Sequence, residues 1–145
     1  MYRSCGIGDQ LSVVSHQKDV HMAKWRLDDL DVFKRAYELS LDVHRLSQSW
    51  PKSEQYGGVA DQIRRASKSI CALLAVGVGR QRSSDAEFSR YCIMALGSAD
   101  EVQLWCRYAR DLDFSDSSLA DRWQNEYQAI ARMLQGLISR LASED

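Results

Sequence analysis

Apolar residues recur every three or four positions in this chain from Leu27 almost to its end. Val32, Ala36, Leu39, Val43 and Leu46 form the first stripe, and Phe33, Tyr37 and Leu41 widen it. Trp50-Pro51 closes that segment, because the residue before a proline is pushed out of the helical region. A second stripe runs through Val59, Ile63, Ala66, Ile70, Leu73 or Leu74, and Gly77, and Gly77 and Gly79 are expected to loosen its end. Ser84-Asp85-Ala86-Glu87 reads as a capping box. It opens a third stripe of Phe88, Cys92, Ala95, Ala99, Val102, Cys106 and Ala109. The serine-rich cluster at 115–118 breaks the chain and supplies caps for a fourth, with Leu119, Trp123, Tyr127, Ile130, Leu134, Leu137 and Leu141.

No segment alternates with the period of a strand. Four helices of roughly 20–28 residues on short loops predict an all-α, antiparallel up-down-up-down four-helix bundle. The bundle is expected over 25–145. Residues 1–24 carry Gly6, Gly8, His16, His21 and no sustained period. They read as a flexible or partly ordered N-terminal tail, with a short helix near Gln10 to Val14, or as an over-long start with Met22 as a second initiation site.

At 145 residues, with 45% hydrophobic and 27% charged positions, the chain suits one globular domain and excludes wholesale disorder. A net charge of -1 leaves nucleic-acid binding only to a local patch. Cys5, Cys71, Cys92 and Cys106 form no C-x-x-C pair, and the last three fall on apolar helical positions. Buried, reduced thiols in a cytoplasmic protein are the expectation. The longest apolar stretch, Ile70 to Val78, is too short to span a membrane, and the N-terminus lacks the pattern of a secretory signal.

Catalytic chemistry has little to build on. There is no Glu-x-x-His for a di-metal site, and His44 is the one histidine inside the helical segments. No serine sits in a nucleophile elbow, and Asp100 and Glu101 are adjacent, so they diverge around a helix. Gly77-Val78-Gly79-Arg80 lacks the strand and the Lys-Ser/Thr ending of a phosphate loop. A non-enzymatic protein with no catalytic residue, metal or cofactor is expected. Gly97-Ser98-Ala99 reads as a notch for a tight crossing within the bundle.

Charge and surplus aromatics leave more open. Residues 61–90 hold six basic against three acidic side chains, and residues 111–145 hold seven acidic against three basic. Arg64, Arg65, Lys68, Arg80 and Arg82 could contact the phosphates of RNA or DNA. Equally, they could meet the acidic end of another copy, or form a merely solvated face. Arg64 and Lys68 share a face and Arg65 points elsewhere. Phe33, Tyr37, Tyr91, Met94, Trp105 and Tyr108 flank the stripes, as anchors of a homo-oligomer interface or as a thicker core with polar tips outward. A more remote alternative is an apolar pocket lined by the aromatics and Cys71.

Several blocks resemble the four helix bundle proteins of the 23S rRNA intervening-sequence family. They are Leu30-Asp31-Val32-Phe33-Lys34-Arg35-Ala36, Tyr56-Gly57, Gln62-Ile63-Arg64-Arg65-Ala66, Ser69-Ile70, Gly77-Val78-Gly79-Arg80, Glu87-Phe88-x-Arg90 and Ala95-Leu96-Gly97-Ser98-x-x-Glu101. The match runs in order from Leu27 to Leu141. The resemblance implies a compact antiparallel bundle, a homopentameric ring and no established catalytic residues. Family relatives are encoded in insertions in bacterial 23S rRNA genes. The accessory variability proteins of diversity-generating retroelements are similar, and bind nucleic acid and a reverse transcriptase through a basic pentamer. After Ser69-Ile70 the family pattern has an Asn and a Glu where this chain has Leu73 and Val76. The combined expectation is a homo-oligomer, a pentamer by resemblance, that binds RNA or DNA through a local basic patch. The alternative is a protein–protein scaffold without nucleic acid.

Overall fold

A computed structural model of the chain describes residues 25–143. The expected N-terminal tail, its short helix, Cys5, His16 and His21 lie outside the described residues. Four helices follow in order: α1 (Asp31–Ser47), α2 (Val59–Arg80), α3 (Asp85–Asp111) and α4 (Ser117–Ser143). Short 3-10 turns at Leu27–Asp29 and Lys52–Glu54 precede α1 and α2.

Side-chain register shows that neighbours run antiparallel. Ser98 of α3 bonds Ser69 of α2 at 3.1 Å, whereas Gly77, two turns further along α2, lies against Phe88 and Tyr91. Across α1 and α2, Arg64 reaches Ser47 while Lys68 reaches His44. Between α3 and α4, Arg110 pairs with Asp121 close to the connecting loop. The result is the up-down-up-down bundle that the short loops require.

Residues facing the core follow the stripes closely. All seven α3 positions from Phe88 to Ala109 are buried, and α4 buries Trp123, Tyr127, Ile130, Leu134, Leu137 and Leu141. Leu74, not Leu73, takes the fully buried position on α2. Leu46 departs from expectation: it is exposed, and Ser47 is buried in its place at the end of α1. The capping box forms on one side, with Ser84 Oγ accepting from Glu87 N–H at 3.1 Å while the Glu87 carboxylate turns to Arg90.

Both ends are plugged by tryptophan. Trp50 packs against Trp123 and Phe114 at one end, with ring centroids 6.2 and 6.5 Å apart. At the other, Trp25 sets its edge on Phe88 at 6.4 Å and carries Arg140 over its face at 4.7 Å. Thus the segment before α1 covers α2, α3 and α4 where the shorter α1 does not reach.

Two mid-helix glycines play opposite parts. Gly77 does not end α2, which continues to Arg80. A Cβ there would lie 2.9 Å from Tyr91 Cβ and 3.0 Å from Phe88 Cδ1, so the missing side chain is what lets α3 approach. Gly97 itself faces open space among the described residues, and it is Ser98, bonded to Ser69, and the fully buried Ala99 that turn the expected notch toward the bundle. Gly77→Val is therefore expected to destabilise by about 1–3 kcal/mol through overpacking. Gly97→Ala should stabilise by up to about 1 kcal/mol through helix propensity alone. Urea unfolding of both variants checks this, and shifts of the same sign would refute the close-approach role of Gly77.

Candidate functional site

The five basic residues singled out in the sequence divide between two places. Arg64 projects from α2 toward the end of α1, where its guanidinium donates to Ser47 Oγ at 2.9 Å and to the Gln55 carbonyl at 3.2 Å. It clamps the α1–α2 connection, and these bonds use two of its five N–H donors. One turn on, Lys68 Nζ lies 2.9 Å from His44 Nδ1. An ammonium only donates, so Nδ1 accepts and the proton of the neutral ring sits on Nε2. The Gln48 amide nitrogen lies 3.4 Å from Nε2.

Burial, followed by Lys68, Arg64 and Arg45 in turn, pushes the His44 pKa below its usual 6.5. No carboxylate contributes to that shift, so the ring reports a locally positive field. Arg65 points elsewhere, as its position one residue on from Arg64 requires, and pairs with Asp61 at 3.0 Å on the exposed side. The Gly57 N–H and then Arg65 hold the Asp61 carboxyl below the ordinary carboxylate range.

Arg80 lies at the other end of α2, about 24 Å along the axis from Arg64 at 1.5 Å per residue, and Arg82 follows in the turn just beyond. There Arg80 and Arg90 both stand over the Tyr91 ring, at 6.0 and 4.8 Å. Arg90 is also engaged by Glu87. A single phosphate groove through all five residues is not the geometry of the bundle. Each end of α2 carries its own basic cluster.

The candidate interface residues are more coherent. Met94 and Tyr108 are exposed on α3, and Tyr91 and Trp105 are half-buried beside them. Trp105 donates to Glu101 at 2.9 Å and packs on Tyr108 with centroids 5.7 Å apart. On α1, half-buried Phe33 stacks on exposed Tyr37 at 5.8 Å. Sequence reasoning missed Ile93, Leu104 and Leu112, which are 54%, 45% and 52% exposed. Ile93, Gly97, Leu104 and Tyr108 fall on the side of α3 opposite Cys92, Ala99 and Cys106, a helical spacing that was readable. A helix apolar on both its inner and outer faces is the signal that could have found them.

Nucleophilic chemistry stays remote. Burial pushes the Cys71 thiol up to about 11 and those of Cys92 and Cys106 up to about 12, so all three stay protonated at neutral pH. Among the described residues no cluster of His, Cys, Asp and Glu could hold a metal ion. No described helix is long and apolar enough to cross a membrane.

The described family that fits this geometry is the 23S rRNA-intervening sequence protein family, whose profile matches residues 28–136. The chain belongs to that family. Its match spans all of α1, α2 and α3 and most of α4, so both basic clusters and the outer face of α3 are family territory. Comparison with the curated proteins found no match. Among solved structures the fold is similar to a protein of unknown function from the S23 ribosomal protein family of Bacteroides thetaiotaomicron. The two superpose with a TM-score of 0.66 at 20% identity, over 74% of this chain and 97% of the other. At that identity the likeness concerns the fold alone.

Two outcomes follow from the Arg64 and His44 geometry. Arg64→Ala should cost about 1.5–3 kcal/mol of stability, as for hydrogen bonds made by a charged group. Arg65→Ala, which loses only an exposed pair, should cost under about 0.5 kcal/mol. In NMR titration His44 should gain its proton below pH 6.5, and Lys68→Ala should move that midpoint back up. The unfolded chain takes this proton near pH 6.5, while the folded chain takes it only lower. The stability contributed by neutral His44 is therefore complete above 6.5 and declines as pH falls below it.

Proposed function

We propose that this protein is a non-enzymatic building block that assembles with copies of itself through the outer face of α3. One observation carries the reading: Ile93, Met94, Leu104 and Tyr108 on α3, with Leu112 just past its end, are all 42–54% exposed. A bundle gains nothing from five large apolar side chains in water, and apolar groups set among exposed charges such as Glu101, Arg107 and Asp111 suit the core and rim of an interface. Gly97, with open space above it in the middle of this face, leaves room for another helix to come close. Family membership supports a closed homo-oligomer, a pentamer by the resemblance noted in the sequence.

A second reading, that the assembly also holds RNA or DNA, is favoured by the field around His44. There Lys68, Arg64 and Arg45 all act on the ring as positive charges, and of the three only Arg64 also bears on a carboxylate whose pKa is shifted, that of Asp61. The competing scaffold reading assigns those cations to the acidic end of another copy. Arg64 is a poor position for deciding between them, because its loss loosens the α1–α2 connection. Lys68, exposed and bonded only to His44 among the described residues, is the better one.

Native mass spectrometry of the wild type should show a discrete oligomer. Leu104→Glu should reduce it to monomer with helicity intact, because Leu104 is not part of the core. A monomeric wild type, or a variant that assembles normally, would sink the α3 interface. In the same buffers, binding to structured RNA and duplex DNA should weaken steeply between about 50 and 200 mM salt. Lys68→Glu should reduce that binding while leaving the native mass unchanged.

A further inference from the structure

The connection between α1 and α2 encloses a recess of about 560 Å³ that no role described so far explains. Arg64 and Lys52 supply its cations, and the neutral ring of His44, bonded to Lys68, lines it with them. Among the described residues no carboxylate lines it. Its floor is the buried Trp50, and its rim is Tyr56, whose side chain stands 91% exposed.

That exposure is built in. Gln55 Nε2 donates to the carbonyls of Ser47 and Trp50 at 2.9 and 3.0 Å, which ties the loop back to α1. Glu54 Oε1 accepts from the Val59 N–H at 2.7 Å, and Asp61 accepts from the Gly57 N–H at 2.8 Å, which tie it forward to α2. Gly57 adopts φ +78°, a backbone turn that a residue with a side chain rarely makes. Between these anchors the Tyr56 ring is held out in water with no aromatic partner among the described residues.

We infer that this recess binds one nucleotide unit, its phosphate on Arg64, Lys52 and the His44–Lys68 pair and its base stacked on Tyr56. The inference rests on the nucleic-acid reading above and gives it a place. Arg64 retains three N–H donors after bonding Ser47 and Gln55, enough for two-point contact with a phosphate. An aromatic ring on a fixed loop beside a row of cations is the arrangement that holds unpaired bases while the backbone is neutralised. A base already stacked in a duplex cannot use it, so the fitting ligand is single-stranded.

The test uses the full chain with a labelled single-stranded oligoribonucleotide, the same sequence as a duplex, and free AMP, at about 50 mM salt. Tyr56→Ala should weaken the single strand roughly tenfold and Lys52→Ala several-fold, while Arg132→Ala, on the exposed side of α4 and outside the recess, should leave it unchanged. Native mass and helicity should stay as in the wild type, since neither Tyr56 nor Lys52 supports the core. Competition by AMP would assign the recess to a free nucleotide, and its absence to a nucleotide within a chain. Binding of single strand and duplex that ignores Tyr56 and Lys52 would overturn the recess while leaving nucleic-acid contact standing. A wild type that binds none of the three probes would overturn both.

Discussion

α3 can stand between α2 and α4 because its inward face is made mostly of small side chains. Cys92, Ala95, Ala99, Cys106 and Ala109 are buried there, with Phe88 and Val102 as the larger exceptions. The volume comes from the neighbours: Ile63, Ile70 and Leu74 from α2, and Trp123, Tyr127, Ile130 and Leu134 from α4. Large against small is how facing helices fill their common space at native density. Gly77 belongs to the same arrangement, since it removes a Cβ where Tyr91 and Phe88 come closest.

That division of volume has a counterpart on the outside. The larger apolar residues of α3 that are absent from its inner face, Ile93, Met94, Leu104 and Tyr108, stand on or beside its outer one. The helix is therefore apolar on two sides, one satisfied within the chain and one not. The basic residues are arranged differently. Arg64, Arg65 and Lys68 gather toward the start of α2 and bond residues of α1, α2 and their connection, so assembly through α3 and anion contact there need not compete for the same surface.

Much of the fold was legible in spacing alone. Every inward position of α3 was, because a regular 3.6-residue period over 27 residues leaves little freedom. The errors came where local rules met tertiary context. Leu46 continues the α1 stripe, but the helix ends one residue later, and the turn there buries Ser47. Gly77 has the composition of a helix terminus, yet contact with α3 decides its role. The basic residues were visible as charge, but their partners depend on distances that no spacing supplies. Arg64 became a clamp only once Ser47 and Gln55 were beside it. Tyr56 stood out least, because a lone tyrosine before two glycines looks like any loop.

α1 is the shortest of the four helices and packs mainly on α2, with only sparse contact to α4. The remaining three helices form the better-knit unit, joined along two long seams. Local opening follows such differences in packing, so the stability of this protein is graded. Backbone amides of α1 should trade their hydrogens for solvent deuterium ahead of those in α3. Each such opening uncovers Val32, Ala36, Leu39 and Val43 together, so the thinnest part of the bundle is also where its interior is most often seen by water.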